Sequence, residues 1–126
     1  MKSNNSNGTQ VTLEKMIEGI QTLFEKELEF TASISTGLVN VNSLIFHGIY
    51  LDADKRILLD DIEYLIAPID VTIQAKDIKR IDYLIDTVHY ENEGYLLNMD
   101  PLKHHHYTIS LSDDTEIVLS TAEILS

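Results

Sequence analysis

Ile69, Val71, Ile73 and Ala75 alternate with Asp70, Thr72 and Gln74. Successive strand side chains point to opposite faces, so this run reads as a half-buried strand. Ile, Val and Thr suit a pleated surface. Pro68 sits just ahead of the run, where a residue without an N–H fits a strand start and not a strand centre. Upstream, Ile49-Tyr50-Leu51 and Ile57-Leu58-Leu59 flank the polar stretch Asp52 to Arg56, the pattern of a hairpin. The densest apolar sequence and clearest turns thus lie between Leu44 and Ile85, and the rest of the chain is organised around them.

A short pattern recurs three times. An apolar strand ends, two or three mostly polar residues follow, and an Ile lies beside an acid. The copies are Ile57 to Ile62, Val71 to Ile78 and Ile117 to Ile124. A strand followed by one helical turn, with an apolar residue tucked back, produces this pattern, and small barrels turn corners in this way. The spacings are unequal and the units too short for a repeat protein. Gly48-Ile49-Tyr50-Leu51, Leu59-Asp60-Asp61-Ile62-Glu63 and Ile73-Gln74-Ala75-Lys76-Asp77-Ile78 resemble the Sm-like barrel pattern over roughly a third of the chain. The Arg-Gly of that family is replaced by Gln74-Ala75, and the Asn of its hairpin is missing. These are its RNA-reading positions, so the resemblance implies a barrel shape without RNA binding.

Thr12 to about Glu29 has the spacing of an amphipathic helix, with Leu13, Met16, Ile17, Ile20, Leu23, Phe24 and Leu28 recurring at three and four. Thr12 can cap it and Glu14 complements the dipole. Its far end carries Glu25, Glu27 and Glu29 against Lys26 alone, which reads as a solvated face or as an acidic contact surface. Met1 to Gln10 is polar and without a core residue, so a disordered tail is expected over 1–10 and a single α+β domain over 11–126. Phe30 to Ser35 and Leu38 to Asn42 read as short strands around Thr36-Gly37. Val88 to Tyr90 and Tyr95 to Leu97 suggest a hairpin with Glu91-Asn92-Glu93-Gly94 at its tip. Tyr107 to Leu111 alternates, turns at Ser112 to Thr115 and returns from Glu116. Ser120 and Glu123 have capping-box spacing, which predicts a final helical turn over Ser120 to Leu125.

The chain has 126 residues and no cysteine, which excludes disulfides, thiolate catalysis and cysteine zinc sites. Its net charge of −12, from 21 acids against nine Lys and Arg, disfavours direct contact with nucleic acid or an anionic membrane. No leader-like or membrane-length apolar run is seen, so a cytoplasmic location is expected. No nucleophile elbow, glycine-rich phosphate loop or zinc-protease helix is present, so an enzyme is not expected.

Two features carry candidate chemistry. On a strand, His104 and His106 share a face, and two imidazoles can hold a divalent transition metal if a third ligand arrives, with His47, His89 and Asp100 as candidates. Asp60-Asp61 and Asp113-Asp114 are paired acids that could share a proton or hold a cation, but turns favour Asp for local bonding. The second feature is the stretch from Ile81 to Leu102, which is free of Lys and Arg and holds Asp82, Asp86, Glu91, Glu93 and Asp100. Alternate strand residues lie about 7 Å apart, a spacing comparable to that of phosphates. Small acidic phage inhibitors of nucleases and of CRISPR effectors are similar in type.

The sequence therefore predicts an α+β fold. An N-terminal amphipathic helix packs on a strongly curved antiparallel sheet or a small SH3/Sm-like β-barrel, with an additional C-terminal hairpin. The expected function is non-enzymatic: binding a basic surface of a nucleic-acid-handling protein, as inhibitor or regulator. The alternatives are an oligomeric small-barrel scaffold or small-molecule binder, and a metal-binding module using His104 and His106.

Overall fold

The computed structural model describes residues 8–38, 40–62, 69–88 and 102–124. Among the described residues, one helix and nine strands run in the order β1 (Thr9–Gln10), α1 (Leu13–Phe24), β2 (Phe30–Ser35), β3 (Asn40–Phe46), β4 (Gly48–Leu51), β5 (Arg56–Ile62), β6 (Ile69–Gln74), β7 (Ile78–Val88), β8 (Leu102–Leu111) and β9 (Glu116–Ile124), with a 3-10 turn at Ala75–Asp77. The strands form a six-stranded sheet in the order β1-β7-β8-β9-β2-β3 and a three-stranded sheet β4-β5-β6. Every ladder is antiparallel. The fold is α+β. Among the described residues the strands make two sheets and not one closed barrel.

The core follows the two periodicities of the sequence. Met16, Ile17, Ile20 and Leu23 form the buried face of α1. They meet Phe30 and Ala32 of β2, Leu44 and Phe46 of β3, Tyr107 and Ile109 of β8, and Ile117 and Leu119 of β9. Each such fully buried apolar side chain stabilises the fold by about 1.5–3 kcal/mol. The three-stranded sheet adds Ile49, Ile57, Leu59, Ile62 and Ile73 to the same cluster. Gln21 of α1 donates its side-chain N–H to the carbonyl of Ile49 at 3.1 Å, so the helix also satisfies part of the outer edge of β4.

Local chemistry sets the turns. Asp52 accepts the backbone N–H groups of Asp54 and Arg56, each at 2.9 Å, and ion-pairs with the Arg56 guanidinium. These bonds, the one from the Arg56 backbone first, hold its carboxyl below the usual aspartate range. Asp113 accepts from the Thr115 N–H at 3.0 Å, which gives that acid the turn role expected of it. The Asp60 and Asp61 side chains and the hairpin expected at Val88 to Leu97 lie outside the described residues.

Four expectations are corrected. The helix stops at Phe24, because the amides of Lys26 and Glu27 bond to the carbonyls of Leu23 and Phe24, and Glu27 turns left-handed at φ 62°. Thr9 and Gln10, placed by composition in a tail, pair with Tyr83 and Asp82. The second strand of the first hairpin begins at Asn40, not at Leu38, and runs on to Phe46. Ser120 to Ile124 is not a helical turn: β9 continues, pairing residue by residue with His106 down to Leu102, and a full ladder outweighs a capping signal of about 1 kcal/mol. Of the three copies of the strand-then-turn pattern, only Val71 to Ile78 turns, at Ala75–Asp77; Ile57 to Ile62 and Ile117 to Ile124 are strand throughout.

Gly19 lies against Tyr107, and a Cβ there would overlap the Tyr107 hydroxyl. Tyr107 is 5% exposed and stacked on Tyr83 at 4.5 Å, so it has little room to yield. Helix propensity alone predicts that Gly19→Ala stabilises the protein by about 1 kcal/mol. The packing predicts the opposite, a loss of about 1–3 kcal/mol in urea denaturation that Tyr107→Phe relieves in the double variant.

Candidate functional site

Strand alternation divides the run Lys103 to Tyr107 between two faces. His104 and His106 point outward with their rings parallel, 6.0 Å apart and 5° from coplanar orientation, as the sequence predicts. His106 shares a hydrogen bond of 2.9 Å between its Nδ1 and the Ser120 hydroxyl. Burial, foremost, and then the neighbouring His104 hold its pKa below the ordinary value of 6.5. A metal would need a third ligand, and among the described residues no group of three His, Asp or Glu side chains converges. His89 and Asp100 lie outside the described residues.

The middle histidine points the other way. His105 is 4% exposed and lies on the inward face with Tyr107 and Ile109. Its Nε2 is 3.0 Å from Oε1 of Glu123, and its Nδ1 is 2.7 Å from the hydroxyl of Tyr83. A carboxylate only accepts, so Nε2 carries a proton and donates it to Glu123, while Nδ1 shares a hydrogen bond with the Tyr83 hydroxyl. The other oxygen of Glu123 takes the Lys26 ammonium at 2.7 Å. Four polar side chains therefore run in a hydrogen-bonded line from the turn after α1, through β9 and β8, to β7. Close by, the Thr121 hydroxyl donates to the Glu29 carbonyl at 2.6 Å.

The electrostatics of this chain are those of a tie. The Lys26 hydrogen bond, and then that of His105, hold the Glu123 carboxyl below its ordinary value of 4.5. Burial pushes the Tyr83 phenol up, so it remains a proton donor. Burial also raises Tyr107, to about 12. Two grooves flank this end of the molecule. One, of about 330 Å3, is lined by Phe24, Glu27, Leu28, Glu29 and His47. The other, of about 280 Å3, is lined by Glu29, Thr31, His104, Ser120, Thr121 and Ala122. Neither touches Tyr83 or His105.

The residues expected to meet a partner are placed as follows. Asp82 and Asp86 share the outward face of β7, being four residues apart on one strand. Asp82 is partly covered and ion-paired to Arg80 at 2.7 Å. Asp86 is exposed, opposite His104. Glu91, Glu93 and Asp100 lie outside the described residues, in the connection from Val88 to Leu102. That connection is anchored where Val88 pairs with Leu102, at the same end of the sheet as Lys103 and Glu123. The Lys26–Glu123 contact brings the end of α1, with exposed Glu25, Glu27 and Glu29, to this end as well.

Sequence reasoning missed His105, Glu123 and Tyr83 as a group. The signal for His105 was present, because if its two neighbours face outward it must face inward. Its partners come from strands paired through long-range contacts, which no local pattern reveals.

As the pH falls, the unfolded chain protonates at Glu123 before the folded protein does. The stability this residue contributes is therefore complete above about 4.5 and is lost as the pH falls through the lower folded value. His106 has the same sign: its contribution is complete above about 6.5 and is lost as the pH falls through its own lowered value. Urea denaturation between pH 8 and pH 3 is predicted to show both limbs, and Glu123→Gln to flatten only the lower one. No protein-family model matches the chain, and no curated protein or solved structure is significantly similar to it.

Proposed function

We propose that the protein is a non-enzymatic binder of a basic surface on a nucleic-acid-handling protein, acting as its inhibitor or regulator. The observation that carries this reading is the distribution of charge. Lys15, Lys26, Arg56, Lys79 and Arg80 are each within 4 Å of an acid of the same chain. Most of the positive charge is thus matched internally, while Glu25, Glu27, Glu29 and Asp86 stay exposed at one end. The ends of the segment bearing Glu91, Glu93 and Asp100 are anchored there too. With a net charge of −12, such an end attracts a basic groove at long range and loses that attraction in salt.

A second reading is an oligomeric scaffold of the Sm-like small-barrel type. Only His47 separates β3 from β4, so a nearly continuous strand leaves the large sheet and enters the small one, as a strongly curved, open-sided barrel would require. A monomer in light scattering counts against this second reading.

The first reading predicts that a host protein is retained on the immobilised chain at low salt, released at high salt and displaced by duplex DNA. Reversing Asp82, Asp86, Glu91 and Glu93 to Lys is predicted to abolish retention. Unchanged retention by a folded quadruple variant would sink the proposal.

A further inference from the structure

The groove beside the end of α1 has a composition that an acidic surface alone does not require. Phe24 and Leu28 give it apolar walls, and the acidic residues Glu27 and Glu29 line it together with His47. Phe24 is anchored in the core, tilted against Phe30 at 5.1 Å and edge-on to Phe46 at 5.8 Å, yet it is only partly buried. The one cation in this stretch, Lys26, is turned to Glu123 at 2.7 Å and does not line the groove.

An aromatic ring, an aliphatic wall, two acidic residues and an imidazole at the edge fit one kind of side chain. A guanidinium is planar and weakly hydrated, stacks on aromatic faces and meets carboxylates through a fork of donors, and its methylene stem covers apolar surface. We propose that this groove is the socket for an arginine side chain presented by the basic partner. The inference rests on the acidic-binder reading and gives it a point of attachment. Charge complementarity selects the occupant: a second copy of this chain would bring its own net charge of −12 to the contact.

Glu27 supplies an unusual test, because its backbone is left-handed at φ 62°, a conformation that glycine adopts without steric cost. Glu27→Gly removes a carboxylate and relaxes the turn in one change. A residue retained for stability and a residue retained for binding then give opposite signs.

The probe is an acetylated, amidated Gly-Gly-Arg-Gly-Gly peptide, with a citrulline analogue of the same shape and no charge, followed by NMR on the whole chain. The arginine peptide is expected to shift the Phe24 and Leu28 signals, and the citrulline peptide to leave them in place. Glu27→Gly is expected to weaken binding roughly fivefold while the unfolding midpoint holds or rises. Glu116→Gln, at the opposite end of β9, removes the same charge and is expected to change binding less than about twofold. Equal shifts by the two peptides, or equal weakening by the two variants, would overturn the groove and leave acidic binding standing. Penta-arginine that binds without moving Phe24 or Leu28 would also overturn the groove alone. Penta-arginine that fails to bind at all would overturn both readings.

Discussion

The line of hydrogen bonds from Lys26 through Glu123 and His105 to Tyr83 is the interaction on which the arrangement of this molecule depends. β8 lies between β7 and β9 in the six-stranded sheet, and its inward side chains His105, Tyr107 and Ile109 are buried. A buried polar group left without a partner costs about 1–3 kcal/mol. His105 escapes that cost only if β7, β8 and β9 hold their present register, and Glu123 is fully satisfied only if α1 ends where Lys26 can reach it. The three consecutive histidines, His104 to His106, have no apolar period of their own, and the alternation of Tyr107 and Ile109 sets which of them faces inward. A slip of one residue would place His104 or His106 inward and turn Tyr107 and Ile109 toward solvent. Glu123 and Tyr83 supply the partners that the inward His105 needs. The polar chain thus supplies specificity, while the stabilisation comes from the apolar cluster around it.

The same chain explains how a segment rich in acids holds one shape. Glu25, Glu27 and Glu29 follow the end of a helix, where negative charge opposes the helix dipole and mutual repulsion favours fraying. Lys26 is drawn to Glu123, Glu29 is held through its carbonyl by Thr121, and the aromatic cluster of Phe24, Phe30 and Phe46 closes the underside. These ties leave the carboxylates facing solvent on a backbone that is fixed. A surface whose charges are fixed before contact gives up less conformational entropy on binding than a flexible acidic tail would. The acidic end is therefore both a consequence of the polar chain and the feature that the proposed function uses.

Much of the fold was legible because it is local. The alternation of Ile69 to Gln74, the loop between Leu51 and Arg56, the cap at Thr12 and the turn at Ser112 to Thr115 each lie within a few residues, where period and turn chemistry decide. β7 is less plain: Ile81, Tyr83 and Ile85 alternate, but Leu84 breaks the polar side of the pattern, and Asp82 and Asp86 give the segment the character of a charged surface. The end of β9 shows tertiary context overruling local preference, since Ser120 and Glu123 have helix-start spacing but belong to a ladder with β8. At the site, the shared face of His104 and His106 followed from period alone. The link from His105 to Glu123, 18 residues away, and to Tyr83, 22 residues away, depends on strand pairings that no local pattern encodes.

Amide hydrogen exchange in a Glu123→Leu variant tests the central claim most directly. The change keeps a side chain of similar bulk in β9 and removes both arms of the polar chain at once. If the chain fixes the acidic end, the amides of Lys26 and Glu27, which bond to the carbonyls of Leu23 and Phe24, lose protection first and by the largest factor. Amides within the β4–β5 hairpin, such as that of Leu59, then keep theirs. Protection at Lys26 and Glu27 that is unchanged, or that falls only in step with the whole molecule, would contradict the account.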